Sequence, residues 1–143
     1  MTTQPERAAL EAAYRAAQYR IVLAQGRIVR HVGRIDAAAD AALAGAGCRR
    51  HWAIVTPCNP GAQRLSDREN AARLAALIRD LEARALRHLP AINAAQDGSW
   101  PEPGCCILDA PAALIESLAV QYGQLAYLSA GLGEAPALLW TAP

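Results

Sequence analysis

The chain alternates between stretches of helical and of strand-like hydrophobic spacing. Ala8, Leu10, Ala13, Tyr14 and Ala17 recur at roughly helical intervals, which predicts a helix over residues 4–18. Residues 19–24 and 27–32 are β-prone and separated by Gln25-Gly26, so they predict a hairpin that buries Ile21, Leu23, Ile28 and Val32. A short Ala-rich helix over 36–43 follows, with Asp36 as N-cap and a stop at Gly45-Ala46-Gly47. Residues 51–56 (HWAIVT) are continuously apolar and bounded by breakers, the pattern of a central strand. Ser66 and Glu69 form a Ser-x-x-Glu capping box ahead of Leu74, Leu77, Ile78, Leu81 and Ala85, which predicts a helix over 67–86.

Beyond it, 88–94 and 105–108 read as strands, joined by turn-forming Gln96–Ser99 and a Pro-bounded loop over 100–104. Asp109 is placed to cap a helix reaching Tyr122, with Leu114, Ile115, Leu118 and Ala119 inward and Gly123 as its stop. Two strands, 124–129 and 136–141, close the pattern around Gly131–Gly133. The order is helix, hairpin, helix, strand, helix, two strands, helix, two strands. It predicts an α/β (α+β) fold with a single mixed β-sheet and helices packed on it. The expected organisation is one domain over 1–143: an N-terminal helical segment, 1–18, and a mixed-sheet core, 19–143.

Composition narrows the function classes. All 14 basic residues are Arg and scattered, and the net charge is +1, so nothing resembles the clustered basic face of a nucleic-acid binder. No apolar run reaches the roughly 18 residues of a membrane span, and residues 1–17 lack a basic segment followed by an apolar one. The expectation is a cytoplasmic protein without membrane or nucleic-acid partners. Cys48, Cys58, Cys105 and Cys106 read as small apolar residues in and near strands, Cys105 and Cys106 facing opposite ways. Without CxxC or HxxxH spacing they give no metal site, and no cofactor is expected. Cys58, near a helix N-terminus, is the one thiol placed for a lowered pKa.

Residues Trp52 to Tyr127 resemble an uncharacterised bacterial family, domain of unknown function 3293 (DUF3293). The resemblance rests on Thr56-Pro57-Cys58-Asn59-Pro60, Ser66, Glu69-Asn70, Arg73, Leu77, Pro90, Trp100-Pro101-Glu102 and Tyr122-Gly123-Gln124-Leu125-Ala126. Pro57 stands where the family tends to have Ala, and Gly104 where a Ser commonly follows the Trp-x-Glu segment. The resemblance implies fold boundaries and a set of polar residues, but no activity.

Those residues give the candidate site: Asn59, Asn70, Arg73, Trp100, Glu102 and Gln124. Asn59, Gln63 and the following helix N-terminus suit a carboxylate or phosphate, or else an Asx-type turn with a satisfied cap. Asn70 and Arg73 share a helix face, where Arg73 either clamps an anion or pairs with Glu102. Glu102 beside Trp100 is either a general base or a structural acceptor, and Gln124 contacts either a ligand or loop amides. The expected function is a small-molecule domain that takes a small anionic ligand. The alternatives are an enzyme with Glu102 as acid/base and Arg73 as anion clamp, or an interaction module that pairs with a partner or a second copy (a homo-oligomer) through an exposed Trp140 and the C-terminal strand.

Overall fold

The structure is a computed structural model that describes residues 3–142; residues 1, 2 and 143, the ends of the expected domain, lie outside the described residues. The order of elements follows the sequence pattern. Helix α1 (Gln4–Ala16) leads into the hairpin β1 (Gln18–Leu23) and β2 (Gly26–Arg30), then α2 (Ala37–Gly45) and β3 (His51–Val55). Helix α3 (Asp67–Ala83), β4 (His88–Ala94), β5 (Glu102–Leu108), α4 (Ala112–Gln121), β6 (Ala126–Gly131) and β7 (Ala137–Trp140) complete it.

Local chemistry explains most boundaries. Ser66 Oγ accepts from Glu69 N–H while Ser66 N–H donates to the Glu69 carboxylate, so the capping box at α3 is formed. Thr3 and Glu6 build the same device at α1, and the Asp36 carboxylate caps α2 through Ala39 N–H. The hairpin turn falls at Ala24-Gln25, one residue earlier than expected, with Gly26 already paired to Leu23. Glu102, Pro103 and Gly104, expected in a loop, open β5 as paired strand residues.

One expected cap is corrected. Asp109 does not cap α4, whose N-cap is Pro111 without a side-chain bond. The Asp109 carboxylate instead accepts from the backbone N–H groups of Arg49, Arg50 and His51 at the start of β3, and pairs with Arg87 at 2.7 Å. Burial alone would raise its pKa. The three N–H donors and the Arg87 charge outweigh burial and bring it down to about 2.

The seven strands form one curled sheet in the order β2-β1-β4-β5-β3-β6-β7. A backbone bond from Gly33 N–H to Pro136 O, at 2.8 Å, links the two ends of the sheet. The single sheet with packed helices is as expected, but every pairing is antiparallel rather than mixed. The reason lies in strand order. Helix α3 joins β3 to β4 and α4 joins β5 to β6, each a parallel pair, but β5 lies between the first pair and β3 between the second. This interleaved β-α-β-β-α-β unit is the split βαβ arrangement of ferredoxin-like folds.

Each sheet face has its own core. Ala53, Val55, Cys105 and Ile107 pack with Leu77 and Leu81 of α3 and Ile115, Leu118 and Ala119 of α4. The opposite face carries Tyr19, Ile21, Trp52, Ile54, Cys106 and Leu128, with Leu43 of α2. Neighbouring Cys105 and Cys106 thus enter different cores, and all four cysteines are free thiols. Arg30 also lies on the second face, 1% exposed. Its guanidinium sits 5.6 Å from the Trp52 ring centre, and no carboxylate among the described residues pairs with it. Helix α1 has no fully buried residue. It is held by Trp140, whose indole N–H donates to Glu11 and whose ring meets Arg7 and Tyr14, and by the Tyr19 hydroxyl donating to Tyr14 O. Trp140 is therefore half-buried against α1, not an exposed pairing surface.

Candidate functional site

Five of the six candidate residues converge, and they do so around the loop that follows β3. Asn59 adopts the left-handed conformation (φ 50°, ψ 60°), which Asn tolerates better than most residues. Its Oδ1 accepts from Leu65 N–H and Asn70 Nδ2, both at 2.9 Å. Its backbone N–H donates to Asn70 Oδ1, and its Nδ2 donates to Glu102 Oε2 at 2.7 Å. The Arg73 guanidinium donates to Pro57 O at 2.6 Å and Tyr122 O at 2.5 Å. Gln124 Nε2 donates to Cys58 O and Tyr122 O. The loop is thereby tied to α3, to β5 and to the end of α4.

Two glycines belong to this closure. A Cβ on Gly123, at φ 71°, would lie 2.6 Å from Pro60 Cβ, and Gly123 O accepts from Gly61 N–H. A Cβ on Gly104 would lie 2.5 Å from Val55 O and 2.8 Å from Thr56 Cα. Gly at 104, where the resemblance has Ser, therefore goes with a close approach of β5 to β3.

This geometry redirects two roles. Arg73 does not pair with Glu102; its Nε and Nη2 donate to two carbonyls, and it lines neither of the two cavities described below. Cys58 is not activated, since burial pushes its thiol pKa up, and its Sγ donates to Pro103 O.

Glu102 differs from the other four. It tops a row of three side chains on one sheet face, since Tyr19 pairs with Asn93 and Asn93 with Glu102 in register. Strands about 4.8 Å apart place these three side by side. Above the row, α1 roofs a cavity of about 230 Å³. Ala13, Ala17, Ile54, Ala94, Ala126 and Leu138 give it apolar walls, Tyr14 and Tyr19 aromatic ones. Among the described residues, Glu102 is its only carboxyl, and no Arg or His lines it. Burial raises the Glu102 pKa, which the hydrogen bond from Asn59 only partly counters. Asn93 Oδ1 is buried without a hydrogen-bond partner.

Trp100, the sixth candidate, makes no side-chain hydrogen bond to the latch. It is 59% exposed and stands between this cavity and a second, more polar cleft lined by Asn59, Arg64, Asp67 and Asn70. Arg64 stacks on its ring at 4.3 Å.

Sequence reasoning missed Tyr14, Tyr19 and Asn93. Tyr19 continues the alternation of Ile21 and Leu23, so its facing was readable. Asn93 is a lone polar residue within an otherwise apolar strand segment, a weaker signal.

Among the described residues, no helix is long and apolar enough to cross a membrane. No curated protein and no solved structure matches the chain. Residues 55–127, about half of the chain, match a family described as protein of unknown function (DUF3293). That span holds the whole polar latch and Glu102, whereas α1 and β1, which roof and wall the cavity, lie before it. By that match the chain belongs to the DUF3293 family.

Proposed function

We propose that this protein binds a small, mostly apolar molecule in the cavity between α1 and the sheet, with Glu102 as its polar anchor. The carrying observation is the carboxyl at the cavity floor. One oxygen is fixed by Asn59, and the other has no partner among the described residues, in a site walled mostly by Ala, Ile, Leu and aromatic residues, with Thr56, Asn93 and Gln124 as neutral polar members. A concave, largely apolar site with a few fixed polar groups is the usual form of a small-molecule pocket. The latch of Asn59, Asn70 and Arg73 supports the site by holding β5 and the loop in place without lining the cavity, whereas Gln124 belongs both to the latch and to the cavity wall. The raised pKa of Glu102 favours a second reading, an enzyme in which Glu102 passes a proton at the same cavity.

Fragment titrations followed by amide NMR test the binding reading. Shifts should map to Tyr14, Asn93 and Ala126, and Ala13→Trp, which fills the cavity from an exposed helix position, should abolish them. Shifts confined to the Arg64–Trp100 cleft, or none at all, would remove the proposal. Turnover lost in Glu102→Gln with binding retained would select the enzyme.

A further inference from the structure

Resting on that reading of the cavity, we infer that its ligand is a small organic amine, bound as the ammonium between the aromatic walls with its charge on Glu102. The argument is a balance of donors and acceptors. The Thr56 hydroxyl donates to Pro103 O, the Tyr19 hydroxyl to Tyr14 O, and Gln124 Nε2 to two loop carbonyls. These three donors are occupied by the protein itself; the Tyr14 hydroxyl, Asn93 Nδ2 and Trp100 Nε1, which also line the cavity and have no partner among the described residues, are uncharged, so the charge in the lining is that of Glu102. Two acceptors on adjacent strands are unoccupied: the second oxygen of Glu102, and Asn93 Oδ1. A buried acceptor left unpaired costs stability, so an occupant that brings N–H groups is favoured. An ammonium brings up to three, together with the charge that a buried carboxylate lacks.

Charge and shape agree with this. With no Arg or His among the lining residues, nothing there offsets a carboxylate or phosphate ligand. Tyr14 and Tyr19 are among the lining residues, and aromatic rings attract organic cations; Trp100 already holds the Arg64 guanidinium from the side of the neighbouring cleft. The apolar remainder of the walls suits a short alkyl chain or a single ring.

Benzylamine, benzyl alcohol and benzoate share one body and differ in the head group, so calorimetric titration of the full chain with all three separates the possibilities. Benzylamine should bind about tenfold or more tightly than benzyl alcohol, and benzoate should not bind. Glu102→Gln, which keeps an acceptor for Asn59, should remove the amine's advantage over benzyl alcohol. Amine binding should strengthen as the pH rises through the Glu102 titration. The other titratable groups facing it are Tyr14 from α1, Tyr19 from β1 and Cys58 from the loop, all pushed upward and neutral across that range. Equal binding of alcohol and amine, or an unaffected Glu102→Gln, would overturn the amine and leave the cavity reading standing. Absence of binding by all three, or binding that survives Ala13→Trp, would remove both.

Discussion

At the scale of single residues, the difference between a latch and a site is which atoms are already occupied. Asn59, Asn70, Arg73 and Gln124 use their polar atoms on one another and on loop carbonyls, whereas Glu102 is bound on one side only. Burial raises its pKa, so the folded state holds the Glu102 proton to higher pH than the unfolded chain does. Its contribution to stability is present below the unfolded pKa and is lost as the pH rises through the folded one. Glu102→Gln should therefore be more stable than the wild type at pH 7, with the gain shrinking toward acid pH. Urea denaturation at both ends of that range measures it, and a gain that does not change with pH would contradict the burial of this charge. A binding residue kept at a cost in stability is the usual sign of a functional position. The sequence made this group of residues visible, because they are polar and sit at element ends. It did not show that the Arg73 fork would close on Pro57 and Tyr122, since those carbonyls come from segments 16 and 49 residues away.

At the scale of elements, helix starts show how far local rules reach. Asp36, Ser66 and Asp109 all precede helices. The first two cap as expected, because their acceptors meet an N–H three residues on. Asp109 is drawn away by three N–H groups about 60 residues earlier in the chain, a partner set that no local pattern announces. This clamp fastens the start of β3 to the end of β5. With a folded pKa of about 2 against an ordinary 3.8, its stabilisation is complete above about pH 5 and is lost as the pH falls toward 2. Asp109→Asn should cost roughly 1–3 kcal/mol at pH 7 and flatten the acid limb of the stability curve between pH 4 and 2. Thermal unfolding across that range checks both. The strands themselves were more legible: β3 is apolar from Trp52 to Val55 because both of its faces are buried there, and α3 and α4 show their inner faces as helical stripes.

For the molecule as a whole, alternating helices and strands pointed to a mixed sheet, and the order of the strands decided otherwise. Periodicity reports which face of a strand is buried, not which strand becomes its neighbour, so the insertion of β5 between β3 and β4 could not be read from it. The cavity was hidden for the same reason: its floor joins β1, β4 and β5, and its roof is α1, which meets them only after folding. That roof depends on few contacts. Trp140→Ala removes the partner of Arg7, Glu11 and Tyr14 together, so amide exchange should accelerate across α1 while β3 and β5 keep their protection. Uniform acceleration throughout the sheet would show instead that α1 and the core unfold as one unit. The same arrangement governs kinetics. If the proposed ligand sits beneath α1, loosening that helix should shorten its residence time, so an indole on β7 that does not line the cavity would still tune how long the ligand stays.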